Sequence, residues 1–158
     1  MTNTTVLNKA ADNIRILAAS MVEKAKSGHP GVAMGGADFV NTHFAELLVY
    51  VPSDPKWINR DRFFLDPGHM SPMLYSVLAL TGKFTLDELK QFRQWGSPTP
   101  GHPEVDVMRG IENTSGPLGQ GHAMAVEESI DERFLVARFG DRMAHTTYEC
   151  FSDGGIQE

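Results

Sequence analysis

Arg62-Phe63-Phe64-Leu65-Asp66-Pro67-Gly68-His69-Met70-Ser71-Pro72 reads as a strand, a turn and the start of a helix in one unbroken run. Arg62 to Leu65 is short and largely apolar, as a buried strand should be. Asp66-Pro67-Gly68 stops it, because proline has no amide to donate and glycine opens turn geometry. Ser71-Pro72 then reads as an N-cap followed by proline at the first helical position, where its missing amide costs nothing. That helix is expected to reach about Thr81. His69 therefore falls just beyond the carboxyl end of a strand, the side on which open α/β sheets gather ligands.

The neighbouring segments extend the same alternation. Downstream, Thr85-Leu86-Asp87-Glu88 has the spacing of a capping box and opens a short helix. Ser97 to Thr114 lacks periodicity and reads as a long irregular excursion, a kind of segment that is often functional. A helix is expected from Gly119 to about Phe139, then a strand over Thr146 to Phe151 that runs into a turn at Ser152-Asp153-Gly154. Upstream, Ile14, Leu17, Ala18, Met21, Val22 and Ala25 recur at helical spacing and end just before Ser27-Gly28. Ala37 to Tyr50 reads as a second, more apolar helix. The expected fold is α/β, a parallel sheet flanked by helices, with residues 1–158 forming one piece and no linker dividing them.

Bulk properties bound the function without choosing it. A chain of 158 residues can bury a real core. Its formal net charge of −6, with lysine and arginine scattered, argues against nucleic acid or an anionic membrane surface as partner and leaves small molecules. The longest apolar run, Ala45 to Val51, is far short of the roughly 20 residues that cross a bilayer. Met1 to Asn13 is polar and has no signal-peptide pattern. Cys150 is the only cysteine, so an internal disulfide is excluded and the cytoplasm is the expected compartment. Cys150 itself reads as a small buried hydrophobe ending a strand.

Two loops are rich in residues that suit neither helix nor strand: Ser27-Gly28-His29-Pro30-Gly31 and Gly116-Pro117-Leu118-Gly119-Gln120-Gly121. The second immediately precedes a helix, so its amides and the helix dipole can face a phosphate or approach a flat ring closely. The same composition also serves a plain connecting turn. An Asp-Gly pair after a strand can offer a carboxylate to a cation or can simply turn the chain. Histidine can hold hydroxyls or phosphate and can move protons near neutral pH, yet loop histidines are also ordinary.

Taken in order, His29, Gly68-His69, Gly101-His102-Pro103-Glu104, residues 116–121 and Ser152-Asp153-Gly154 resemble the amino-terminal half of the cofactor domain of transketolases, from about Ala11 to the last residue. The resemblance implies an incomplete thiamine-diphosphate-binding fold. It also implies two-carbon transfer from a ketose phosphate to an aldose phosphate, with thiamine diphosphate and Mg²⁺ or Ca²⁺ as cofactors. It implies that His29 and His102 act on the donor sugar, both binding it and taking part in catalysis. His69, Gly116, Pro117, Leu118 and Gly154 would contact the cofactor, and Asp153 would bind the metal. His43, His122 and His145 match no motif. Ser152 stands where the motif has glycine, which requires a negative φ there. Asp66 and Met70 stand where the family has smaller residues.

In the family the metal motif continues for roughly thirty residues to an asparagine that supplies a second ligand, and a further domain contributes a glutamate across a homodimer interface. Glu158 matches a family glutamate near that interface. The resemblance therefore implies a fragment, inactive alone, of a homodimeric cytoplasmic enzyme. The alternative is a non-catalytic assembly or partner-binding piece of a split enzyme.

Overall fold

A computed structural model describes residues 3–158; the first two residues of the polar Met1 to Asn13 stretch lie outside it. The elements run α1 (Thr4–Ala25), α2 (Pro30–Gly35), α3 (Ala37–Thr42), a π-helical turn (His43–Leu47), β1 (Arg62–Leu65), α4 (Ser71–Leu80), α5 (Leu86–Leu89), α6 (Gln120–Phe139), β2 (Thr147–Cys150) and α7 (Asp153–Gln157). Short 3-10 turns lie at Gly68–Met70, Val107–Arg109 and Asp141–Met143. The chain forms two compact units, one of residues up to Leu48 together with His69–His102, the other of Val49–Gly68 and Pro103–Glu158.

The first unit is helical. Ala11, Ile14, Ala18 and Met21 form the buried stripe of α1, which packs against α2, α3 and α4. Helix α4 is buried on almost every side from Ser71 to Leu78, and the Tyr75 ring meets Phe84 at a tilt and Phe92 edge-on. Three expectations change here. Pro30 and Gly31 begin a helix instead of belonging wholly to a loop, because proline occupies the first turn, where its amide is not needed. The helix expected over Ala37 to Tyr50 is broken into α3 and a π-helical turn ending at Leu47. Ser71 is the first residue of α4 and not its cap; its hydroxyl donates to the Gly101 carbonyl at 2.7 Å. The Thr85–Glu88 capping box forms with both arms.

The second unit holds a two-stranded parallel sheet, with Arg62 opposite Thr147 and Leu65 opposite Cys150. Helix α6 packs on both strands. The free edge of β1 is closed by a side chain: the Asn113 amide accepts from the Leu65 N–H and donates to the Leu65 carbonyl, both at 3.2 Å, as a neighbouring strand would. The Asp61 carboxylate accepts from the amides of Val49, at 2.9 Å, and Thr146, at 2.8 Å, and so fixes where both strands begin. Arg60 and Glu112 form a bidentate ion pair with side chains only 12% and 11% exposed. Burial pushes the Glu112 carboxyl upward more than Arg60 pulls it down. Asp153 opens α7 where the sequence suggested only a turn. Cys150 ends β2 half-buried, its thiol pushed up to about 11 by burial first and then by Glu149 and Asp66, as befits a non-reactive cysteine. Among the described residues no helix is long and apolar enough to cross a membrane.

Candidate functional site

In the helical unit the three singled-out histidines come together. His29 is the residue before α2, and its ring meets that of His69 edge-on at 4.9 Å between centroids. His102 lies close enough to His29 and Arg93 to feel both; its pKa is lowered by partial burial first, then by the charges of Arg93 and His29. A neutral imidazole is therefore the resting form of His102 at neutral pH, able to accept a proton or to hold a hydroxyl.

The anchors of these loops lie in the core. Tyr75 Oη donates to the Pro100 carbonyl at 2.9 Å, and Ser71 holds Gly101, so α4 fixes the backbone just before His102. Thr99, fully buried, donates to the Glu88 carbonyl at 3.0 Å. Arg93 ties the remaining ends. Its Nη1 donates to Ser27 Oγ at 2.8 Å, beside the His29 loop, and a Cβ on Gly101 would meet its Nε at 2.8 Å. No local pattern marks Arg93 in the sequence, because its partners are distant along the chain.

In the sheet-containing unit, the 116–121 loop and the 152–155 turn follow the same logic. Asn113 and Ser115, both bonded to Leu65, pin the chain that leads into Gly116. Gly119 caps α6 with φ +86°, and the loop then packs on the turn: a Cβ on Gly154 would meet Leu118 Cδ1 at 3.0 Å, and one on Gly119 the Gly155 carbonyl at 3.5 Å. Ser152 has φ −111°, which satisfies the condition its replacement of glycine imposes, and its Oγ accepts from the Gly155 amide at 3.2 Å. Asp153 is exposed at the start of α7.

At the amino end of α6 the Gly121 amide donates to Asp66 Oδ1 at 2.9 Å, so a carboxylate takes one of the amides that the sequence offered to a phosphate. The close-approach role remains for residues 116–118. Asp66 is fully buried, and its Oδ2 has no hydrogen-bond partner among the described residues. Sequence reasoning noted Asp66 only as an unusual neighbour of His69.

These residues fit a divalent cation and a diphosphate. Hard cations take carboxylate oxygens, and Asp153 offers an exposed one after β2, while the buried, orphaned Asp66 Oδ2 after β1 adds negative charge against the same turn. Among the described residues no three histidine, cysteine, aspartate or glutamate side chains converge as a complete metal set. Diphosphate oxygens and water suit the remaining positions.

Residues 6–158 match the family model described as transketolase, thiamine diphosphate binding domain. Relatives include a transketolase of Geobacillus stearothermophilus, 48% identical over 154 residues that cover 94% of this chain and 23% of that protein. Among solved structures, transketolase from Leishmania mexicana superposes with a TM-score of 0.92 at 44% identity, covering all of this chain and 24% of that one. A Pichia stipitis transketolase in complex with sedoheptulose-7-phosphate gives 0.91 at 42% identity, covering 97% and 23%. The chain thus spans about a quarter of the length of the proteins it matches.

Proposed function

The chain belongs to the transketolase family, and we propose that the whole protein transfers a two-carbon glycolaldehyde unit from a ketose phosphate to an aldose phosphate, using thiamine diphosphate with Mg²⁺ or Ca²⁺. The observation that carries this reading is the packing of Leu118 and Gly119 on the turn of Gly154 and Gly155. It sets the residues suited to a ring, 116–118, beside those suited to a diphosphate and its cation, Asp153 and Gly154. The protein is proposed to work as a cytoplasmic homodimer on sugar phosphates, in keeping with the sugar phosphate bound by the Pichia stipitis relative.

Bound thiamine diphosphate supplies a nucleophilic carbon and an electron sink, which no side chain can offer. The chain's own residues bind and orient. Gly116, Pro117 and Leu118 present a surface without long polar side chains to the cofactor rings, Asp153 holds the cation, and Gly154 leaves room for the diphosphate. His69 contacts the cofactor, and its ring meets that of His29. His29 and His102 hold the donor's hydroxyls near the reacting carbon. His102, its pKa lowered by partial desolvation and then by Arg93, is the side chain suited to take a hydroxyl proton and return it.

The test separates these roles in the complete protein. Asp153→Asn should weaken Mg²⁺-dependent cofactor binding, read by calorimetry, and leave the fold intact. His29→Ala and His102→Ala should raise KM for the donor ketose or lower kcat while cofactor affinity stays near wild type. Unchanged cofactor affinity in Asp153→Asn, or histidine variants that lose cofactor binding yet turn over normally once saturated, would refute the assignment.

A further inference from the structure

Asp66 touches both the 116–121 loop and the 152–155 turn. Its Oδ1 accepts from the Gly121 amide at 2.9 Å, at the amino end of the long helix α6. Its backbone lies so close to that helix that a Cβ on Gly121 would meet Asp66 Cα at 2.5 Å. On the other side a Cβ on Gly155 would collide with Oδ2, so that oxygen is pressed against the turn that begins with Ser152 and Asp153. The residue is fully buried, and Oδ2 has no hydrogen-bond partner among the described residues.

Burying a carboxylate oxygen without a partner is unfavourable unless charge of the opposite sign lies near. The amino end of α6 supplies part of it, through its dipole and the Gly121 amide. His122 is near enough for Asp66 to help raise its pKa, yet among the described residues no hydrogen bond reaches Oδ2, which faces the turn of Asp153. Resting on the assignment of Asp153 to a divalent cation, we propose that Asp66 is a positioning residue for that cation: it clamps the amino end of α6 to the 152–155 turn, and the charge on its Oδ2 strengthens cation binding there. It acts through Asp153 and the turn and is not itself given a place among the ligands.

The test uses the complete protein, with Mg²⁺ titrated at fixed thiamine diphosphate and binding read by calorimetry, beside melting curves taken without either. Asp66→Asn keeps the acceptor for Gly121 and removes the charge. It should melt at or above the wild-type temperature, yet bind Mg²⁺ about tenfold more weakly, the size of effect seen when groups that support metal ligands are altered. Asp66→Ala removes both and should lose stability as well as affinity. A purely structural role would lower melting in Asp66→Ala and leave Mg²⁺ affinity unchanged in Asp66→Asn; that result overturns the proposal. Asp153→Asn is the control on the underlying reading. If it weakens Mg²⁺ binding and Asp66→Asn does not, the role of Asp66 alone falls. If Asp153→Asn binds as wild type, the cation assignment falls and takes this proposal with it.

Discussion

The helical unit and the sheet-containing unit hold their candidate residues in opposite ways. In the first, His29 and His102 are exposed on loops, and the groups that place them, Ser71, Tyr75, Thr99 and Arg93, grip backbone or other side chains and not the imidazoles themselves. In the second, the groups of interest are backbone and carboxylate packed at van der Waals distance, with Gly121 and Gly155 against Asp66 and Gly154 against Leu118. Under the proposed roles the difference is functional: histidines that meet changing substrates are left on open loops, whereas a site for a constant diphosphate and ion is built tightly. Two ion pairs show the same contrast. Arg60–Glu112 in the sheet-containing unit is nearly dry, while Arg15–Asp38 in the helical unit leaves Asp38 67% exposed.

The largest test of this contrast is on those pairs. Glu112→Ala strands a guanidinium that cannot shed its proton, and should cost about 3 to 4 kcal/mol in chemical denaturation. Asp38→Ala, across an exposed pair, should cost about 0.5 kcal/mol. Equal losses would erase the distinction between these two pairs.

Next come the glycines. Gly121→Ala drives a methyl group into the Asp66 backbone and should cost about 2 to 3 kcal/mol despite alanine's better helix propensity. Gly31→Ala, in α2 with nothing within 4 Å of the added carbon, should gain about 0.5 kcal/mol. A neutral Gly121→Ala would mean that the sheet-containing unit yields as easily as a surface helix.

A smaller effect concerns His102. Its folded pKa lies below the ordinary 6.5, so the unfolded chain binds the proton more readily. Stability should therefore rise with pH through the window just below 6.5, and fall again as pH drops through it. Arg93→Ala removes one cause of the depression, so the His102 ring resonance should titrate at higher pH in NMR. A downward movement would remove Arg93 from the electrostatics of the histidine cluster.

The smallest effect belongs to His122, whose pKa is raised by its 2.7 Å contact with Glu149. Its contribution to stability is present below the unfolded value and lost as pH rises through the folded one. Glu149→Gln should bring the His122 titration back toward 6.5 with little change in melting temperature at alkaline pH.

Local chemistry made much of this molecule legible from its residues. Arg62–Leu65 is a strand with the expected bounds, α6 runs over nearly the expected span, and the Thr85 capping box closes as its spacing requires, because each depends on residues within a few positions of one another. Pattern reading failed where the deciding partner is distant. Ser71 gives its hydroxyl to Gly101 and not to its own helix, and the apolar run after Ala37 breaks into a π-helical turn for which we find no local cause.

The candidate site divides along the same line. The order and type of His29, His69, His102, residues 116–118 and Asp153 are written in the sequence, since chemistry at a loop depends on which residues that loop contains. That Asp66 accepts from an amide at the amino end of α6, that desolvation and Arg93 lower the His102 pKa, and that Gly121 and Gly155 admit no side chain was decided only by tertiary packing. These are relations between segments far apart in the chain, and charge, burial and excluded volume act through space without leaving a periodic trace in the sequence.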